Sequence, residues 1–186
     1  MRPFFAGIDD GLVVDVGAAD GLEFSNSREL IERGWRAILI EPEPVQFEKL
    51  ANLYADNHRV KCLKMAVSPE VGFAKFYPCE LASTLSEVWK AHIEGKGFGY
   101  SEPIEVLTTP LSMILDAQGC GAIDFLTIDA EGMDLAVMQS NDWTRHRPRL
   151  VCAESGSPVG GMTDYMATVG YVYHAHSRGN TLWRIN

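Results

Sequence analysis

Leu12-Val-Val-Asp-Val-Gly-Ala-Ala-Asp-Gly21 is the stretch on which the reading of this chain turns. Its apolar run, Leu12 to Val16, is broken only by Asp15 and has the length and composition of a strand buried on both faces. It closes on Gly17 and Gly21, which let a backbone turn tightly and come close to a ligand. No Gly-Lys-Ser/Thr follows, so the turn is not a P-loop, and the spacing is not G-x-G-x-x-G either. An acid at the strand tip with few glycines suits a ligand bearing an amine better than one bearing a pyrophosphate.

Outward from this strand, apolar runs alternate with segments of helical period, the pattern of a mostly parallel sheet covered on both faces. A helix is predicted over Ser25 to Arg33, capped by Ser25 or Ser27 and ended by Gly34. The strand Arg36 to Ile40 stops at Glu41-Pro42, and Val45, Phe47, Leu50 and Leu53 mark the buried stripe of a second helix. Val60 to Val67 reads as the third strand. Beyond Pro110 come a helix Leu111 to Gln118, a strand Phe125 to Asp129, a helix Met133 to Met138, a strand Leu150 to Glu154 and a short helix Thr163 to Thr168. Tyr171 to Ala175 and Thr181 to Ile185 are joined by Ser177-Arg-Gly-Asn180, a hairpin signal that ends the sheet with an antiparallel strand.

Between 68 and 110 the alternation fails. Phe73 to Tyr77 and Ile104 to Leu107 read as strands on either side of the glycine-rich tract Glu94 to Pro103, so this region is a small insertion between strands 3 and 4. The chain as a whole, 1–186, reads as one doubly wound, Rossmann-like α/β domain, mostly parallel with a C-terminal antiparallel hairpin.

Sixteen Lys and Arg stand against twenty-five Asp and Glu, a net charge of −9, which argues against nucleic-acid and anionic-membrane partners. The four cysteines form no C-x-x-C pair, and MRPFFAGIDDG resembles neither a signal peptide nor a membrane start, so a cytoplasmic location is expected. The insertion offers a surface through which a homodimer would form.

Strand ends hold the chemistry, because ligands of open α/β sheets bind beyond the carboxyl ends of the strands. Glu41 ends the second strand, where a carboxylate accepts hydrogen bonds from both hydroxyls of a ribose. Asp15 and Glu41 together point to a nucleoside ligand with an amino group and no polyphosphate, for which S-adenosylmethionine is the candidate.

DVGAADG, Ser25-Asn-Ser27, Gly34-Trp35, IEPEPVQFEKL from Ile40 to Leu50, Ala66-Val-Ser68 and FLTIDAEGMDLAVMQSNDW from Phe125 to Trp143 occur in the order found in FkbM-type S-adenosylmethionine-dependent methyltransferases, which the chain resembles from about Leu12 to Glu154. The resemblance implies a seven-stranded class I methyltransferase fold and O-methyl transfer to a hydroxyl of a sugar or natural product. It implies that Asp15, Gly17, Ala18, Ala19, Asp20 and Gly21 hold the methionine moiety, Glu41 the ribose and the segment at Ala66 and Val67 the adenine. Ser25, Asn26, Pro42 and Asp129 belong to the same binding set. Ala130 and Asp134 stand where family motifs commonly carry a valine and a second acid, while Asp129 and Glu131 are kept. The short stretch before the first strand leaves the acceptor unspecified.

Asp129, Glu131 and Glu154 are the candidate catalytic residues. Asp129 and Glu154 end what should be neighbouring strands, ~4.8 Å apart, where they would serve as a general base for an acceptor hydroxyl or hold a divalent cation. The metal-free base is preferred, because no histidine is placed beside the pair. His174 and His176 read as surface residues of an edge hairpin, His92 as part of a solvated helix, and Arg145 to Arg149 as cover for the opposite end of the sheet. Trp35 and Trp143 read as core aromatics there. The segment Glu80 to Ser101 is expected to order over the acceptor site, where Phe98 and Tyr100 read equally as cover for a ligand or as anchors of the loop. The rival functions are a nucleoside-binding or regulatory module without turnover and, disfavoured by the missing glycine fingerprint, a dinucleotide-dependent oxidoreductase.

Overall fold

Every residue of β1 (Leu12–Val16) is buried, and its two faces meet different helices. Val14 and Val16 pack with Leu111, Ile114, Met138 and Met166, whereas Val13 packs with Leu30, Ile31 and Leu50. This period-two division of one strand between two apolar clusters makes the fold three-layered. The computed structural model describes residues 4–79, 82–155, 161–177 and 179–186.

Around β1 lie β2 (Arg36–Ile40), β3 (Val60–Leu63), β7 (Phe125–Ile128), β8 (Leu150–Glu154), β9 (Tyr171–Ser177) and β10 (Asn180–Ile185), in the order β3-β2-β1-β7-β8-β10-β9. The first five of these are parallel, and β10 is antiparallel to both β8 and β9. Strand order reverses between β1 and β7, so the carboxyl ends of β1, β2 and β7 open a crevice there. On the side of Val13 lie α1 (Arg28–Glu32) and α2 (Pro44–Leu53), and on the other α4 (Leu111–Ala117), α5 (Asp134–Gln139) and α6 (Met162–Thr168). Trp35 is fully buried at the amino end of β1, stacked edge-on to Phe5 at 5.0 Å, with its indole N–H donating to the Ile8 carbonyl.

The insertion carries a second sheet, β4 (Ala66–Val67), β6 (Ile104–Thr109) and β5 (Gly72–Phe76), with α3 (Glu87–Glu94) beside it. The single strand expected over Val60 to Val67 is therefore two. The Met65 N–H turns back to the Leu63 carbonyl at 3.2 Å, and Ala66 and Val67 pair with Thr108 and Thr109 instead of continuing beside β2.

Two further expectations are corrected. The first helix starts at Arg28, not Ser25, because the Ser27 hydroxyl donates to Asp15 instead of capping the turn, leaving Ser25 Oγ to accept from the Arg28 N–H. In α2 only Leu50 is buried: Val45 is 58% and Leu53 41% exposed. Pro44 at the first helical position and the Glu43 side chain capping the Gln46 N–H set its start. The hairpin joining β9 to β10 is present, though Arg178 of its Ser-Arg-Gly-Asn connection and Glu80 lie outside the described residues.

His174 and His176 are exposed on edge strand β9, and His92 is exposed on α3. Arg145, Arg149 and His146 are bound to Asp116 and Asp124. No helix among the described residues is long and apolar enough to cross a membrane.

Candidate active site

Three strand ends are tied together at the crevice. The Gly17 N–H donates to the Ile40 carbonyl at 2.9 Å and the Asp129 N–H to the Val16 carbonyl at 2.9 Å. Gly17 has φ +82, and a side-chain carbon there would lie 1.8 Å from the Asp129 carbonyl oxygen, so no other residue lets β1 turn against β7 at this point. A cavity of about 340 Å³ opens over this junction.

Its floor contains Asp15, Gly17, Ala18, Ala19, Asp20, Ser25 and Asn26, its β2 side Glu41 and Pro42, and its far wall Ala66, Val67, Asp129 and Glu131. Gly21 is the exception among the residues assigned to cofactor contact. It packs under α2, where an added carbon would meet Leu50 at 2.6 Å, and does not line the cavity.

Asp15 and Glu41 are both nearly inaccessible. The Ser27 hydroxyl donates to Asp15 at 2.5 Å, yet burial, with the Asp129 charge behind it, pushes the Asp15 carboxyl up to about 7. Glu41 accepts the Ala19 N–H at 2.9 Å on one oxygen and the Glu43 N–H at 2.7 Å on the other. Burial outweighs those bonds and raises it to about 7 as well. Each Glu41 oxygen keeps a lone pair for a ribose hydroxyl. The bond to Ala19 also holds that residue at φ +46, a left-handed conformation uncommon outside glycine, so Glu41 shapes the turn as well as lining the cavity.

At the other side of the cavity, the register Ile128↔Ala153 puts Asp129 and Glu154 one step beyond a paired position. Oxygens of Asp129, Glu131 and Glu154 lie within 4.8 Å of one another. Burial raises all three, Glu131 to about 8, where the Asp129 and Glu154 charges add to it. The Trp89 indole N–H points toward Glu131 and eases its charge, but too loosely to make a full hydrogen bond. Glu154 belongs to the cluster without lining the cavity itself.

Glu131 is itself left-handed, at φ +47, and its conformation is held from the insertion. The Thr84 hydroxyl donates to the Glu131 carbonyl at 2.7 Å, and Trp89 lies so close over Gly132 that a carbon added there would sit 2.8 Å from it. Thr84 is in turn fixed by the Ser86 N–H and by a β-bridge to Tyr77. Thr84, Trp89 and the cavity-lining Cys79, Ser83 and Leu85 were not singled out from the sequence. Their only local signal is the Ser86 cap opening α3, with its side chain accepting from the Trp89 N–H.

Phe98 and Tyr100 do not line the cavity. Phe98 is 57% exposed, and Tyr100 is an anchor, donating to the Ala82 carbonyl at 2.9 Å and packing edge-on against Tyr77. Of the two readings, cover or anchor, Tyr100 takes the anchor, and neither residue covers the cavity. Phe24, 88% exposed and at φ +54, stands at the cavity rim instead.

The family model for the methyltransferase FkbM domain matches residues 15–173. The chain belongs to the FkbM methyltransferase family. Membership implies use of S-adenosylmethionine. The structure of methyltransferase FkbM from Methylobacillus flagellatus KT is similar to this FkbM domain with a TM-score of 0.64 and 15% identity, over 95% of this chain and 44% of that one. The putative methyltransferase yhhF from Escherichia coli matches at 0.54 and 13% identity, over 99% of this chain and 83% of that one. A putative RNA methyltransferase from Pyrococcus horikoshii matches at 0.52 and 10% identity, over 100% and 81%. These likenesses show the class I methyltransferase fold. The chain spans less than half the length of the Methylobacillus structure. No curated protein matches the sequence.

The residues present fit such a cofactor. S-adenosylmethionine carries a sulfonium and an ammonium, and the cavity gathers Asp15, Glu41, Asp129 and Glu131 with Lys49 as the single lysine or arginine among its lining residues. Asp129 Oδ1 is also buried without a hydrogen-bond partner among the described residues. Carboxylates held above their usual range by burial are stabilised when a cation arrives beside them.

Proposed function

We propose that this FkbM domain transfers the methyl group of S-adenosylmethionine to a hydroxyl of a small acceptor, a sugar or natural product. The observation that carries the reading is the junction of two acidic sets in one crevice: Asp15 and Glu41 toward the nucleoside, Asp129 and Glu131 toward the insertion wall. When bound, S-adenosylmethionine supplies an electrophilic methyl, whose transfer forms an O–C bond, breaks the C–S bond, leaves the electron pair on a neutral thioether and releases one proton from the hydroxyl. The protein's part is alignment and removal of that proton.

Glu41 holds the ribose and the Ala19 turn, and the Asp15 to Asp20 loop holds the methionine end. Asp129, Glu131 and Glu154 share the second task. Burial raises all three carboxyls, Glu131 to about 8, so each is a stronger base once deprotonated than a carboxylate in water. The acceptor enters between Glu131 and the wall formed by Cys79, Ser83, Thr84 and Leu85. The high density of carboxylates opposes anionic acceptors, so neutral polyols are preferred over phosphorylated or carboxylated ones. The net negative charge likewise disfavours nucleic acid.

The test is methyl transfer from labelled S-adenosylmethionine to a panel of sugars, glycosides and phenolic natural products, with nucleic acid as a control. Labelled methyl ether on a neutral acceptor is the expected product. Binding of the nucleoside with no transfer to any acceptor would favour a binding module.

A further inference from the structure

The carboxylates of Asp129, Glu131 and Glu154 meet where β7 and β8 end, and their spacing limits what they can hold. Ligand oxygens within 4.8 Å of one another fit around a single hard cation, since metal–oxygen bonds of about 2.0–2.6 Å put opposite ligands about twice that far apart. Asp129 Oδ1 and Glu154 Oε2 are buried and have no hydrogen-bond partner among the described residues.

A second observation lies behind them. Asp134, the first residue of α5, is 1% exposed, and among the described residues neither of its carboxylate oxygens meets a partner in hydrogen-bond geometry, though the N–H groups of Asp134 itself and Ala130 ease its charge. Its charge acts on Glu131, and the charges of Asp129 and Glu154 act on it, so it belongs to the same field. Four carboxylates therefore share a largely buried volume. Among the described residues, the Lys96 charge eases Glu154 without forming an ion pair with it. One divalent cation at the three-carboxylate face would compensate this repulsion.

We propose that Asp129, Glu131 and Glu154 form a site for one hard divalent cation, Mg²⁺, Mn²⁺ or Ca²⁺, with Asp134 as a buried anion behind the ligands. The donor set is all oxygen, with no histidine or cysteine, which suits these ions and not zinc. Sequence reasoning preferred a metal-free base because no histidine is placed beside the Asp129–Glu154 pair; an all-oxygen set needs none, and the convergence of Glu131 on the pair with Asp134 buried nearby alters that balance. Binding of the cation stands on these residues alone. Its role, orienting the acceptor hydroxyl beside the methyl donor, rests on the function proposed above.

Titration of the full chain with Mn²⁺ alone, followed by the loss of the free Mn²⁺ electron paramagnetic resonance signal and by thermal unfolding, tests the site. One Mn²⁺ per chain with a Kd below about 1 mM, displaced by Mg²⁺ or Ca²⁺, is expected. Glu154→Gln and Glu131→Gln should each weaken it at least about tenfold, and Asp134→Asn by about tenfold through the field it supplies. Glu105→Gln, an exposed acid on β6, should leave it unchanged, which separates a site from general charge. Circular dichroism certifies each variant as folded, and two ligand variants keep the test open if one does not fold.

Absence of saturable binding up to about 1 mM, or wild-type affinity in folded Glu154→Gln and Glu131→Gln, overturns the proposal. Stoichiometric displacement of Mn²⁺ by S-adenosylhomocysteine also overturns it, assigning the cluster to the ammonium of the nucleoside ligand. S-adenosylhomocysteine binding measured with chelator present keeps the two readings apart. Retained nucleoside binding without Mn²⁺ binding removes the metal site alone, whereas Mn²⁺ binding without nucleoside binding removes the cofactor reading alone.

Discussion

Glu41 illustrates how one side chain serves structure and binding together. It was legible from its place at the end of the second strand, but its two backbone bonds, to Ala19 and Glu43, were not, because they depend on the left-handed turn that the folded loop imposes. Glu41→Ala is expected to weaken S-adenosylmethionine binding ten- to a hundredfold, about 1.5–3 kcal/mol for a lost charge-assisted bond. Glu41→Gln, which keeps one acceptor oxygen for the turn, should fall between wild type and alanine in a calorimetric titration. Wild-type affinity in a folded Glu41→Ala protein would remove Glu41 from the ribose. Gly21 shows the opposite case, since its glycine identity was read as ligand approach and its actual neighbour is Leu50. A glycine in a turn reports that space is short, not what fills it.

Elements of the main sheet were the most legible, because β1, β2, β7 and β8 are buried on both faces over nearly their whole length and show as near-continuous apolar runs. The insertion was not. Its strands are half-exposed, with Phe73 75% exposed, and its pairing is to chain far away in sequence. The break between Leu63 and Ala66 has no local signal, since Ala66 and Val67 continue the apolar run and leave β2 only to reach β6. The same insertion positions Glu131 through Thr84, a dependence no sequence pattern announces. Thr84→Val removes the bond to the Glu131 carbonyl at a cost of about 1–2 kcal/mol and should release the left-handed turn. The expected result is a fall in kcat with S-adenosylhomocysteine affinity unchanged, and a shifted acidic limb in the pH profile, which a loss of stability alone would not produce. Equal kcat and an unmoved profile would make Thr84 a packing residue.

At the scale of the molecule, the buried acids Asp15 and Glu41 lie where the ligand is expected. Asp15 and Glu41 are raised to about 7 in the folded chain, above their ordinary values of 3.8 and 4.5, so the folded state holds more protons than the unfolded one between those limits. Stability without ligand should therefore decline as pH rises from about 4 through about 7, and the midpoint of thermal unfolding should be at least about 3 °C lower at pH 8 than at pH 5. A cationic ligand reverses the sign, because it binds the deprotonated carboxylates. S-adenosylmethionine affinity should rise with pH through about 7, and more steeply than that of S-adenosylhomocysteine, which lacks the sulfonium charge. A flat stability profile over that range would mean that these acids are not held protonated. The net charge of −9 was plain from composition, but the meeting of Asp15, Glu41, Asp129 and Glu131 in one crevice depends on which strands become neighbours, and the order β2-β1-β7 brings it about.

The most direct measurement is a side-by-side calorimetric titration of the wild-type chain with S-adenosylhomocysteine and with NAD. One-to-one binding of S-adenosylhomocysteine and no heat from NAD are predicted, because the β1 turn offers acids and few glycines to the ligand, not a cradle for a pyrophosphate. Saturable binding of NAD with none of S-adenosylhomocysteine would contradict the account.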